Sequence, residues 1–203
     1  MIARTAVLAV LVLSAVAAHA TPYDYCLTCH GGGANGNVAI QAPRVSALPP
    51  WYLRAQLEAF RAGWRCSHAE DAPGHEMRPV GQHLDAPGVD GAIAFLRSLP
   101  TRRPSPTVQG DAARGAQLYA SCVACHGDSG QGNETLHAPP LAGQTDWYLL
   151  SGLRRFRAGV RGSAAGDVNG AAMRAATAPL PADDAALADL VAYLNTLPEP
   201  GSR

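Results

Sequence analysis

A five-residue motif that occurs twice is the feature that most constrains this chain. The sequence CLTCH at residues 26–30 recurs as CVACH at residues 122–126, an offset of 96 positions. Repetition at a fixed offset is the sign of a duplicated structural unit. Further matches at the same offset are Gly36-Asn37 with Gly132-Asn133, Trp51-Tyr52-Leu53 with Trp147-Tyr148-Leu149, and Phe60-Arg61-Ala62-Gly63 with Phe156-Arg157-Ala158-Gly159. The chain therefore contains two copies of one domain.

The repeated motif has the C-x-x-C-H spacing typical of covalent haem attachment. Two cysteines three residues apart lie on one helical turn and can form thioethers with the two vinyl groups of haem. The next histidine then offers a ring nitrogen to the iron as its proximal ligand. Zinc or a disulfide is the competing explanation, but no second C-x-x-C follows at zinc-ribbon spacing. The predicted attachment and proximal residues are Cys26, Cys29 and His30 in the first repeat, and Cys122, Cys125 and His126 in the second.

Two methionines are candidates for the sixth iron ligand. Met77 lies 47 residues after His30, and Met173 lies 47 residues after His126. Alternatively, these methionines could be flexible residues that fill the hydrophobic core. Apart from Met1, however, they are the chain's only methionines. Their equivalent positions favour thioether ligation in both repeats.

The first repeat offers competing ligands. The imidazoles of His68, His75 and His83 are all near Met77 in the sequence. Cys66 has no cysteine counterpart in the second repeat, and it could be a half-buried residue, an intermolecular disulfide, a redox-active thiol or a thiolate ligand of the first iron. The sequence leaves these alternatives open.

The hydrophobic pattern predicts an all-α fold. Leu53, Leu57 and Phe60 recur at helical spacing, and residues 149–156 repeat this pattern in the second copy. Each copy closes on another apolar helix, and a helix should run from about residue 111 to 121. The first copy lacks most of the helix that corresponds to residues 111–121. We therefore expect its closing helix to leave part of the face of Ile93 and Leu96 uncovered, as an interface with the second domain, another copy of the chain or a redox partner.

The ends and the middle of the chain divide it into segments. Arg4, an apolar run at residues 6–18 and the Ala18-His19-Ala20 site predict a cleaved signal peptide at 1–20, an uncleaved membrane anchor being the alternative. Three prolines mark a stiff linker. The predicted segments are 21–100 for domain 1, 101–107 for the linker and 108–203 for domain 2.

With 16 basic and 16 acidic residues, the chain has no charge pattern for nucleic acid. The mature part has no stretch long enough for a stable membrane span.

These residues resemble the cytochrome c4 family. The similarity rests on the two C-x-x-C-H motifs, the Leu-Ala-Gly-Gln and Trp-Tyr-Leu elements within residues 141–149, the Phe-Arg-x-Gly element and the methionine before the last helix. The resemblance implies two tandem class I cytochrome c domains, each around one covalent haem c, in a periplasmic protein. It also implies axial pairs His30–Met77 and His126–Met173.

The predicted function is single-electron transfer, with no catalysis, between redox proteins such as a dehydrogenase and a terminal oxidase. One alternative is a cytochrome subunit of a dehydrogenase complex, and a homodimer or complex contact through domain 1 is a further expectation. The other alternative is a dihaem enzyme acting on a sulfur compound or peroxide at the first haem, should its axial ligand be replaceable.

Overall fold

The structure, a computed structural model, describes residues 21–200. The predicted signal peptide lies outside the described residues. The described part is helical, with two short 3-10 turns at Gly32–Ala34 and Val38–Ile40. Its α-helices are α1 (Cys26–His30), α2 (Pro50–Arg61), α3 (Ala72–His83), α4 (Ala86–Ser98), α5 (Ala112–Tyr119), α6 (Val123–His126), α7 (Asp146–Arg157), α8 (Val168–Thr177) and α9 (Asp184–Leu194).

The two copies of the repeat fold alike. Helices α1 to α4 correspond in order to α6 to α9, and α5 is the additional helix of the second copy. Residues 21–200 contain no β-strand, and the isolated bridges Asn37–Ala42 and Asn133–Ala138 lie 96 positions apart. The predicted all-α fold class is confirmed.

Local chemistry explains where the predicted helices begin. Pro50 is the first residue of α2, where a missing amide hydrogen costs nothing. The carboxylate of Asp85 accepts the amide hydrogen of Gly88 at 2.8 Å and caps α4. Asp183 caps α9 in the same way through Ala186, at 2.6 Å.

Helices α3 and α8 were not recognised in the sequence. Helix α3 has Pro79 in its interior, which removes one helical hydrogen bond and normally argues against a helix. Helix α8 is capped by Asp167, which accepts from Gly170 at 2.9 Å. These are the helices that carry the two candidate methionines.

Each copy has its own apolar core. The first contains the inward faces of α2 and α4, and the second is built mainly from α5 and α9. The buried residues of the first core are Ala34, Leu48, Leu53, Leu84, Val89, Ala92, Ile93 and Leu96. Those of the second are Tyr119, Ala142, Leu190, Leu194 and Leu197.

Helices α5 and α9 are in very close contact. A Cβ atom on Gly115 would lie 1.9 Å from the carbonyl oxygen of Asp189, so only glycine allows the two backbones to approach this far. The ring of Tyr119 packs on Tyr193 with centroids 5.3 Å apart. The helix expected at about residues 111–121 is therefore present, slightly shorter than predicted.

The prediction of an uncovered Ile93 and Leu96 face is wrong. Both side chains are only 6% exposed, because they point into the first core. The α4 face that corresponds to the α5 contact contains Gly91 and Phe95 instead. Tyr23 covers part of it, with its ring centroid 6.4 Å from that of Phe95. The remainder of this face is half-buried, as the exposure of Gly91 and Phe95 shows.

A buried carboxylate helps to attach the linker to the second copy, and Arg103 adds hydrogen bonds to the carbonyl oxygens of Asn195 and Leu197. Asp146 is 2% exposed and accepts hydrogen bonds from the Oγ1 of Thr107 at 2.8 Å and the amide of Val108 at 2.6 Å. Burial by itself would raise the pKa of Asp146, but these donors lower it below its usual value. The predicted linker at 101–107 thus ends on a fixed contact, and the domain bounds stay a prediction.

Within residues 21–200 we find no helix with the length and apolar character that crossing a bilayer requires.

We expect Gly115→Ala to destabilise the protein. The new methyl group must push α5 away from α9, at a cost of about 1–3 kcal/mol typical of overpacking. Denaturant unfolding of the haem-loaded protein measures this loss. The control is Gly32→Ala, whose added Cβ has no atom within 4 Å. Equal stability of the two variants would contradict the close packing of α5 on α9.

Candidate functional site

Each C-x-x-C-H motif forms one short helical turn. Helix α1 ends at Gly31, with φ 76°, and α6 ends at Gly127, with φ 78°. This backbone region is accessible to glycine at little cost. The amide of each glycine bonds back to the first variable residue of the motif at 2.9 Å, which closes the turn immediately after the histidine.

The two motif histidines are oriented in the same way. The Nδ1 of His30 lies 2.7 Å from the carbonyl oxygen of Pro43, and that of His126 lies 2.8 Å from the carbonyl oxygen of Pro139. A carbonyl oxygen can only accept, so Nδ1 carries the hydrogen and Nε2 keeps its lone pair for a metal. Burial lowers the pKa of both imidazoles, which favours the neutral, metal-binding form.

The two cysteines of each motif differ in exposure. Cys29 and Cys125 are exposed, whereas Cys26 and Cys122 are half-buried. Burial raises the pKa of the Cys26 and Cys122 thiols. In each motif, therefore, the first cysteine is the more buried of the two.

The second copy contains a cavity of about 250 Å³ that brings its candidate residues together. Cys122, Cys125, His126 and Met173 all line it. Its other walls are mainly apolar, from Tyr119, Leu141, Leu149, Leu153, Leu180, Leu190 and Leu194. An apolar cavity with thiols, an imidazole and a thioether at its wall fits haem c and its two axial ligands.

Helix α8 explains why Met173 lines this cavity. Gly170, Met173 and Thr177 are three to four residues apart and therefore share one helix face, and all three line the cavity. The Asp167 cap fixes the start of the helix and thus the register of this face. The sulfur position is set by the helix and not by a flexible loop.

The first copy places its candidates on the equivalent elements. His30 and the motif cysteines lie on α1, and Met77 is half-buried on α3. Met77 shares a helix face with Val80, which packs on the first core, and with Gly81. A Cβ on Gly81 would lie 2.8 Å from the Cβ of Phe60, so this face of α3 is pressed against α2.

The competing histidines of the first copy are occupied or exposed. The Nε2 of His75 lies 3.2 Å from the carbonyl oxygen of His68, and the His75 ring is exposed. His83, at the end of α3, is exposed as well. The ring of His68 accepts the amide hydrogen of Glu70 through Nδ1 at 3.2 Å.

Cys66 occupies a position that corresponds to a glycine in the second copy. It is buried with a positive φ of 64°, and its counterpart Gly162 has φ 75°. Its amide donates to Asp71 at 3.1 Å. Burial raises the pKa of its thiol, so the thiolate is disfavoured.

The sequence analysis missed the groups that the first copy contributes to the second cavity. Tyr52 and Arg65 line the cavity together with their repeat counterparts, Tyr148 and Arg161. The signal was present, because both pairs obey the offset of 96 positions. Only the packing of α2 beside the second copy reveals that they meet.

Comparison with known proteins places this arrangement among the cytochromes. The family model described as cytochrome c matches residues 112–198. A thiosulfate dehydrogenase electron acceptor from Stutzerimonas stutzeri is 34% identical over 161 residues, which cover 74% of this chain and 71% of the relative.

Two solved structures resemble the chain as a whole. The cytochrome c4 of Acidithiobacillus ferrooxidans has a TM-score of 0.67 and 26% identity, and the match covers 85% of this chain and 98% of that one. The thiosulfate dehydrogenase TsdBA of Marichromatium purpuratum has a TM-score of 0.66 and 32% identity over 88% of this chain. The match spans only 38% of the TsdBA chain.

The two C-x-x-C-H turns, the paired helical cores and these relatives agree with the resemblance found in the sequence. Both haem groups are attached covalently, and the predicted role in electron transfer is confirmed. The chain belongs to the cytochrome c4 family of dihaem class I c-type cytochromes.

Proposed function

We propose that this cytochrome is a periplasmic carrier that accepts single electrons from a thiosulfate dehydrogenase and passes them to a second redox protein, such as a terminal oxidase. The observation that carries the proposal is the second cavity, whose walls include both His126 and Met173. With an imidazole and a thioether as its axial ligands, the iron has no open position for a substrate.

The proposed attachment and ligand sets follow the repeat. Cys26 and Cys29 hold the first haem, with His30 and Met77 as axial ligands. Cys122 and Cys125 hold the second, with His126 and Met173. Haem supplies the one-electron iron couple when bound, and thioether ligation favours its reduced form. The contacts of His30 with Pro43 and of His126 with Pro139 keep each ring oriented without moving a proton.

Electron exchange needs an approach to the cofactor edge, which the exposed motif cysteines provide. Cys29 and Cys125 are both exposed, so a haem attached to them would have its thioether edge near the surface. A partner protein can therefore approach both haems from outside. The buried histidines, 7% and 6% exposed, stay protected from water.

The name of the Stutzerimonas relative supports thiosulfate dehydrogenase as the donor. The match covers only 38% of the TsdBA chain, so the part that resembles this cytochrome belongs to a longer dehydrogenase chain. This favours a second function, in which this cytochrome is the electron-accepting subunit of a dehydrogenase complex. An enzyme acting on a sulfur compound or peroxide at the first haem is the remaining alternative. It requires Met77 to be displaced or replaced as a ligand.

The location and domain organisation complete the proposal. Export through the predicted signal at residues 1–20 would deliver the chain to the periplasm, where haem c is attached and redox partners are found. Residues 21–100 and 108–203 would each form one haem domain. An interface of domain 1 with a partner or a second copy would use a surface other than the buried Ile93 and Leu96.

Removing either methionine should change only its own haem. Met173→Ala or Met77→Ala is expected to abolish the low-spin His/Met spectrum of one haem and to lower that haem's reduction potential, because the thioether favours ferrous iron. Absorbance and electron paramagnetic resonance spectra with a redox titration measure both effects. His75→Ala is the control and should leave both spectra unchanged. An unchanged spectrum after either methionine substitution would reject that ligand.

The number of covalently attached haems should depend on the motif cysteines. We expect Cys26→Ala with Cys29→Ala to leave one covalent haem on the chain, seen by intact mass. Cys66→Gly is the matched control, because glycine is the residue of the second copy at this strained position and both haems should remain. Loss of a haem in this control would give Cys66 an attachment or ligand role.

Reduction by thiosulfate should require a dehydrogenase. The oxidised cytochrome with thiosulfate alone is expected to stay oxidised, and addition of catalytic thiosulfate dehydrogenase should reduce both haems, followed by absorbance. Thiosulfate turnover by the cytochrome alone would support the enzyme alternative instead. Failure of reduction with the dehydrogenase present would reject the proposed donor.

A further inference from the structure

Two arginines are buried at the junction between the copies. Arg65 and Arg161 are repeat counterparts, and each is only 8% exposed. The guanidinium of Arg65 lies 4.4 Å from the ring centroid of Phe60, and that of Arg161 lies 4.3 Å from the ring centroid of Phe156. Each cation is therefore held in place by an aromatic ring of its own copy.

The electrostatic contacts of these arginines cross the junction. Arg65 also donates to the side chain of Gln56 in its own copy. The charges of both arginines act on Tyr52 of the first copy and on Tyr148 of the second, so each guanidinium interacts with a tyrosine of the opposite copy. Both guanidiniums line the cavity that contains Cys122, His126 and Met173. Arg65 thus belongs to the first copy in sequence but to the second cavity in space.

This junction has an excess of positive charge. Burial, followed by the charge of Arg161, lowers the pKa of Arg65. The pKa of Tyr148 is also lowered: burial would raise it, but the charges of Arg161 and Arg65 outweigh that effect. Asp71 acts on both arginines, but it is also paired with Arg155, whose nitrogen is 3.8 Å from its carboxylate.

Both arginines retain unused hydrogen-bonding capacity. The Nε atoms of Arg65 and Arg161 are buried and have no hydrogen-bond partner. A buried, incompletely paired cation costs several kcal/mol unless an anion meets it. A guanidinium prefers a carboxylate or phosphate that it can bind through two donors. The molecule that fills this cavity, haem, carries two carboxylates as its propionate groups.

We propose that Arg65 and Arg161 together bind the propionates of the second haem, and that Arg65 thereby tunes the haem of the opposite copy. Tyr148 and Tyr52 act as positioning residues that hold the two guanidiniums across the junction. Positive charge near the cofactor favours ferrous over ferric iron, so both arginines raise the reduction potential of the second haem. The inference rests on the haem groups and is independent of the identity of the partner.

The test is a redox titration of the haem-loaded full chain carrying Arg65→Gln. The potential of the second haem should fall, and Arg65→Lys should restore part of the shift because it restores the charge. Arg161→Gln should lower the potential of the same haem. Arg102→Gln removes the same charge from an exposed site and is the matched control, which should move neither potential.

The two haems can be assigned in a Met77→His background, where the first haem alone should shift to lower potential. If Arg65→Gln prevents folding, Tyr148→Phe provides the second variant, expected to cause a smaller shift in the same direction. The proposal is overturned if these variants leave the second haem's potential where Arg102→Gln leaves it. A wild-type chain without a His/Met spectrum would instead contradict the proposed axial ligands. Failure of the arginine proposal and failure of the proposed haem ligation therefore give different results.

Discussion

The structure depends on the hydrogen bond between each motif histidine and a proline carbonyl thirteen residues later. It fixes the ring, assigns the hydrogen to Nδ1 and leaves Nε2 for iron, so a short helical turn becomes a metal-binding element. The connecting loops turn back at Gly36 and Gly132 and carry Pro43 and Pro139 to their histidines. The histidine contact thus ties each glycine- and proline-rich segment to the motif helix, beside the backbone hydrogen bonds within the segment itself.

Both copies have this histidine–proline hydrogen bond, whereas the structure around it differs between them. The second copy keeps α5, whose contact with α9 needs Gly115, whereas the first copy covers the equivalent face with Tyr23 alone. Cys66 occupies a left-handed position that is glycine in the second copy, where a side chain costs roughly 1–2 kcal/mol. The histidines and methionines stay on equivalent helices. The two copies thus differ in packing and agree in the positions of the candidate ligands.

The sequence predicted the fold class and the ligand candidates because these depend on local spacing. It failed where structure depends on register or on contacts between copies. The missing helix predicts an exposed face at Ile93 and Leu96, but its contact face on α4 is that of Gly91 and Phe95, one step around the helix, and periodicity alone does not distinguish the two faces. Helix α3 was missed because Pro79 and its glycines are poor helix formers, and packing on α2 overrides them. The crossed contacts of Arg65 and Arg161 require knowledge of how the copies meet.

Polar contacts join the two copies at their junction. Arg44, only 1% exposed, donates to the carbonyl oxygen of Gly143 and pairs with Glu199 at 2.7 Å, and Gln144 donates back to the carbonyl oxygen of Arg44 at 2.9 Å. Buried polar contacts of this kind are costly to break singly, so they resist rotation of one domain against the other. Because electron transfer between two centres depends on their separation, contacts that fix the junction would also fix the distance between the two haems of the proposed carrier.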